Sequence, residues 1–118
     1  MSAASKQYST AILITRNGMG HAEAELQQRL IKTYLTMLDD NDMLPGIICF
    51  YTDGVKLVVD GSPVLGVLKS LEAKGVHLII CNTCLKYFDL ADKVQVGIGG
   101  GMHDIIEVQW HAKKVIAV

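Results

Sequence analysis

A chain of 118 residues, half of them hydrophobic and only 19% charged, holds enough apolar material for one packed core and excludes both a disordered segment and a pair of full domains. Eleven basic against twelve acidic side chains leave a formal net charge of -1, and the densest basic group is Lys113-Lys114 without aromatic neighbours, so nucleic acid is not an expected partner. No stretch reaches the length of a membrane span, residues 1–10 lack a basic region followed by an apolar one, and an odd count of three cysteines suits a reducing compartment; the expected location is the cytoplasm.

The expectation is a single domain over residues 1–118, with residues 1–9 as a flexible leader. Residues 10–15 (TAILIT) read as a first strand whose unbroken apolar centre requires cover on both faces. A loop containing Gly18 and Gly20 follows, ending at His21. Leu26, Leu30, Tyr34 and Leu38 then recur every four residues, with Ile31 and Leu35 widening the stripe, so residues 22–38 predict an amphipathic helix packed on the sheet. Asp39-Asp40-Asn41-Asp42 and Pro45-Gly46 stop it.

Residues 47–51 (IICFY) are the second buried strand. Thr52-Asp53-Gly54 is a turn, and residues 55–59 read as a helical turn. Ser62 and Pro63 predict a helix start, as cap and first helical residue, and Gly75 its stop. Val76, Leu78, Ile79 and Ile80 form a third strand, read as central in the sheet, which Cys81 closes. Asn82 or Thr83 is expected to cap a short helix carrying Cys84 in its first turn. A brief strand is expected at residues 94–96, a flexible glycine run at 97–101, a helix at 102–110 and a last strand at 114–118. This count gives an α/β fold: a three-layer α/β/α sandwich around a five-stranded, mainly parallel sheet.

Cys84 is the first candidate for chemistry. A thiol that reacts needs a thiolate form and access, and a helix start just beyond the end of a parallel strand is expected to lower its pKa and leave it open. The bland alternative is a small buried hydrophobe. Cys81 and Cys84 spell C-x-x-C, the spacing of a dithiol or of half a zinc site. Zinc would need two more ligands from His21, His103, His111 or Cys49, brought in through the fold or from a second subunit. Around Cys84, candidate pocket-lining residues at the same end of the strands are Gly18, Gly20, His21, Asp53, Asn82, Thr83, Gly100, Met102 and His103. The Gly18-x-Gly20 loop lacks the third glycine of a dinucleotide fingerprint and any Walker lysine, so no cofactor is implied.

Residues 44–90, LPGIICFYTDGVKLVVDGSPVLGVLKSLEAKGVHLIICNTCLKYFDL, resemble the C-terminal domain of YedF-type proteins, described as sulfurtransferase-like and linked by name to selenium metabolism, within the DsrE/DsrF family. The resemblance extends to GMGHAEAELQQRLIKTYL in front and GGGMHDIIEVQWHAKKVIAV behind. The YedF-like pattern C-G-T-C-L-x-Y-[YF]-x-L reads here Cys81-Asn82-Thr83-Cys84-Leu85-Lys86-Tyr87-Phe88-Asp89-Leu90, with Asn82 in place of glycine. Thr52-Asp53 stands where an asparagine-containing turn is usual, and Gly101 replaces an asparagine before Met102.

The resemblance implies a small α/β/α sandwich that forms dimers, trimers or hexamers, and a sulfur relay in which Cys84 carries sulfane sulfur as a persulfide with Cys81 as a resolving or supporting thiol. It implies sulfur donor and acceptor proteins, or small thiols, as partners. Two other readings stand beside it: a non-enzymatic module binding a small ligand or protein, and a zinc-supported structural module.

Overall fold

The computed structural model describes residues 9–118; all of the expected leader except Ser9 lies outside them. Five parallel strands form one sheet: β1 (Thr10–Ile14), β2 (Ile47–Phe50), β3 (His77–Cys81), β4 (Ile98–Gly100) and β5 (Lys114–Ala117). Their order is β4-β3-β2-β1-β5. Helices α1 (Ala24–Asp40), α2 (Leu65–Ala73), α3 (Asn82–Tyr87) and α4 (Met102–His111) connect them, together with 3-10 segments at Thr52–Val58 and Ala91–Lys93.

The strand order explains the layers. From β1 to β4 the chain advances one strand at a time in one direction, and right-handed crossovers then place every connection on the same face. On that face Ile12, Ile14, Ile48, Phe50, Leu78 and Ile80 meet Ile31 and Leu35 of α1, Leu68 and Leu71 of α2, and Val55, Leu57 and Val58 of the first 3-10 segment. From β4 the chain returns across the whole sheet to β5, which puts α4 on the opposite face. There Ile105 and Val108 cover Ala11, Leu13, Ile47, Cys49 and Cys81. Burying each of the large side chains contributes roughly 1.5–3 kcal/mol, and Phe50, at the middle strand, is sealed completely.

β3 is an interior strand as expected, paired with the middle strand β2 on one side and the edge strand β4 on the other. Three local expectations are corrected. The expected strand at residues 94–96 is absent, and Val94 instead makes an isolated antiparallel bridge to Val59. The fourth strand comes from the glycine run read as flexible: Ile98, Gly99 and Gly100 pair with Ile79, Ile80 and Cys81. A side chain at Gly99 would overlap the Asn82 amide, so glycine there lets the edge strand close against the start of α3. Helix α2 begins at Leu65, with Ser62 Oγ accepting the Val64 N–H at 3.2 Å one step ahead of it, so Pro63 lies in a turn outside the helix.

The far ends of α1 and α2 are tied by Lys74. Its Nζ lies 2.9 Å from Asp39 Oδ1 and 3.3 Å from Asp42 Oδ1, and it donates to the Asp39 carbonyl at 2.9 Å. Lys74 and the Ser70 hydroxyl hold the Asp39 carboxyl below the usual carboxylate range.

Candidate functional site

In an open parallel sheet, ligands meet the C-terminal strand ends where neighbouring connections leave to opposite faces. Here that point lies between β3, whose chain continues into α3 on one face, and β4, whose chain continues into α4 on the other. Cys84 is the third residue of α3, immediately past β3. It is half-buried and packs against the hydrophobic clusters of both faces, as a group at the sheet's rim should.

The start of α3 differs from its expected capping. Cys81 occupies the N-cap with extended backbone, and no side-chain cap is made; Asn82 and Thr83 are the first two helical residues. This follows from β3 running straight into the helix with no loop residue between them. The Cys81 thiol is thereby turned under the sheet, 1% exposed, next to Cys84. Both sulfurs are free thiols.

The expected lowering of the Cys84 pKa is reversed. Burial pushes the thiol above its ordinary value; the Thr52 N–H opposes this, and the adjacent Cys81 thiol adds to it. The amide is the element of the site that sequence reasoning missed: Thr52 N–H donates to Cys84 Sγ at 3.1 Å across 32 residues of chain. The one available signal was a threonine followed by Asp53-Gly54 at the end of a buried strand.

Gly54 brings the strand ends together. A Cβ at this position would overlap the Ile14 carbonyl oxygen, so only glycine lets the segment Thr52–Val58 lie against the end of β1. Beside it, Thr52 Oγ1 lies 2.7 Å from the Thr15 carbonyl, linking the ends of β1 and β2.

The remaining candidates divide. Asp53 adjoins Thr52 but its carboxylate is paired with Lys56 at 2.9 Å. Gly18, Gly20 and His21 belong to the loop after β1, where Met19 N–H donates to the Gln27 carbonyl and His21 Nδ1 lies 3.4 Å from Arg16 Nη1. Met102 and His103 open α4 on the surface, His103 3.8 Å from Glu107. Gly100 pairs with Cys81 by register, yet it opens onto a groove of about 480 Å³ that runs toward the start of β3 and is lined by Glu72, His77, Ile79, Ile98 and Asp104. Cys84 is not among the residues lining that groove. Among the described residues of one copy of the chain, no three His, Cys, Asp or Glu side chains are grouped to hold a metal ion. No helix of the described residues is long and apolar enough to cross a membrane.

No curated protein matches the chain. Among solved structures it is similar to the ychN protein from E. coli, with a TM-score of 0.68 at 15% identity, covering 93% of this chain and 99% of that one. It is also similar to MTH1491 from Methanobacterium thermoautotrophicum, a protein of unknown function, with a TM-score of 0.66 at 18% identity over 92% and 97% of the two chains. At these identities the likeness establishes the α/β fold. The profile of the DsrE/DsrF-like family matches residues 9–118, and the chain belongs to that family.

Proposed function

We propose that the protein is a sulfur carrier in which Cys84 takes up sulfane sulfur as a persulfide and passes it to an acceptor thiol. The observation carrying this reading is a half-buried cysteine just past the end of β3 with a main-chain N–H from beyond the end of β2 on its sulfur. Membership of the DsrE/DsrF-like family supports it.

The chemistry needs no cofactor. The Cys84 thiolate attacks the outer sulfur of a donor persulfide R–S–SH; a bond forms from Cys84 to that sulfur, its bond to the inner sulfur breaks, and R–S⁻ leaves. In the second half, an acceptor thiolate attacks the outer sulfur of the Cys84 persulfide and Cys84 departs as thiolate. Sulfur, charge and proton count balance in each half, and no external oxidant or reductant enters. Cys81, sealed beside Cys84, is the supporting thiol. Partners under this reading are proteins or small thiols that hold a persulfide or a free thiolate.

The reading also includes self-association. Met102, Ile106 and Trp110 recur every fourth residue on the outer side of α4 and are all exposed, as is Ile98 on the edge strand. Apolar side chains so placed are suited to packing against a second copy.

Intact-mass spectrometry after incubation with glutathione persulfide tests the proposal. The wild-type chain should gain the mass of one sulfur, retained on Cys84 after digestion, and Cys84→Ala should gain none. Absence of uptake by the wild type, or equal uptake by Cys84→Ala, would remove the carrier role.

A further inference from the structure

Thr52 stands apart from its neighbours in backbone conformation. Among the described residues, three other than glycine have positive φ: Asp42, Asp89 and Thr52, the last at 48°. Aspartate enters this region with modest difficulty, whereas a β-branched residue there crowds its own carbonyl and is a genuine outlier. Such conformations persist only where surrounding contacts enforce them.

The enforcing contacts are visible. Thr52 Oγ1 lies 2.7 Å from the carbonyl of Thr15, beyond the end of β1, and 2.7 Å from the carbonyl of Tyr51; its single proton is shared between them. With the side chain fastened to the β1 end, the amide of Thr52 is directed away from the sheet and onto Cys84 Sγ at 3.1 Å. The next residues are held by Gly54, which admits the close pass over Ile14. The hydroxyl, the left-handed turn and the N–H···S contact thus form one mechanical unit.

We propose that Thr52 is the positioning residue of the sulfur site: its hydroxyl, anchored on Thr15, holds a strained backbone whose N–H supports the anionic form of the Cys84 sulfur. The inference rests on the carrier reading for its purpose, but its physical content is the ionisation of one thiol. A sulfur anion accepts a hydrogen bond more strongly than a neutral thiol, so an aimed amide favours thiolate in a place where burial disfavours it. The titratable groups on the elements packed against the Cys84 helix are Cys81 and His77 of β3, Asp53 and Lys56 of the 3-10 segment, Asp92 and Lys93 of the second 3-10 turn, and Lys86 and Tyr87 of the helix itself. Asp53 and Lys56 are paired with each other. A change from threonine to valine, alanine or serine at residue 52 adds no charge among them.

The experiment is the pH dependence of Cys84 alkylation by iodoacetamide on the full chain, with the modified cysteine identified by peptide fragmentation and folding checked by circular dichroism. Thr52→Val keeps the branched shape and removes the anchor; its midpoint is expected to move upward by about one pH unit, a tenfold loss of thiolate at any pH below the midpoint. Thr52→Ser keeps the anchor and should retain the wild-type midpoint. If Thr52→Val does not fold, Thr52→Ala makes the same comparison with less crowding. A folded Val or Ala variant titrating with the wild type overturns the proposal, as does a Ser variant that titrates with Val. Persulfide uptake is measured on the same samples: a wild type that takes up no sulfur ends the carrier reading alone, because the alkylation midpoints do not depend on it.

Discussion

Two cysteines in this molecule show how the interior of a parallel sheet differs from its rim. Cys49 lies in the middle strand, fully sealed, and burial pushes its thiol up to about 12. Cys84 lies in the helix directly after the neighbouring strand; burial raises its pKa too, but an amide donor faces the sulfur and part of the side chain is open. What separates a packing residue from a reactive one here is the end of a strand, where the ladder stops and an N–H becomes free to point elsewhere.

The largest test of that contrast is reactivity. With iodoacetamide under native conditions, Cys84 should be modified about 10³-fold or more faster than Cys49, because Cys49 reacts only through opening of the core. Mass mapping against time checks it, and comparable rates would erase the distinction. The Cys84 rate should rise with pH up to a midpoint above the ordinary thiol value, since burial outweighs the amide.

Next comes the joint that holds the rim together. Gly54→Ala places a methyl group on the Ile14 carbonyl, and a loss of roughly 3 kcal/mol is expected in urea denaturation. The same change should slow sulfur uptake, since it displaces the adjacent Thr52 amide. A variant as stable and active as wild type would show that this close pass does not set the site.

The interior is probed by Cys49→Ser, which buries a hydroxyl beside apolar neighbours and should cost about 1–3 kcal/mol, whereas Cys84→Ser at the rim should cost under about 1 kcal/mol. Cys49 also gives an alkaline signature. Its folded pKa is raised, so the native state keeps a proton that the unfolded chain releases. Stability from this source is intact below the ordinary value of 9.0 and is lost as pH rises from there toward 12. Replacing Cys49 with alanine should flatten that decline in denaturation midpoints measured from pH 8 upward.

The smallest effect is expected far from both cysteines. Asp39→Asn breaks the Lys74 contact at the other end of the helices. Because the native Asp39 carboxyl is held low, its contribution is present above the unfolded carboxylate pKa and fades as pH falls through the folded value. The variant should therefore be slightly less stable than wild type at neutral pH and indistinguishable from it in acid, with sulfur uptake unchanged.

Several features were legible without coordinates. Burial on both faces of a parallel sheet is written as consecutive apolar residues, so TAILI, IICF and HLIIC announced themselves as covered strands; the apolar period of residues 26–38 announced α1 but misplaced its packed side, which is Ile31 and Leu35 while Leu26 and Leu30 are exposed. The position of Cys84 just beyond a buried strand followed from the same reasoning. The edge strand Ile98–Gly100 did not, because glycines carry no side-chain pattern and pair here through backbone alone.

The chain's own order of residues therefore determined the α/β class, three of the covered strands and the cysteine that stands at a strand end, since each is a local consequence of which side chains must avoid water. Tertiary structure alone decided the strand order, the switch of faces between β3 and β4, and the meeting of Thr52 with Cys84. Those depend on segments far apart in the chain and on a backbone angle that threonine avoids unless distant neighbours impose it.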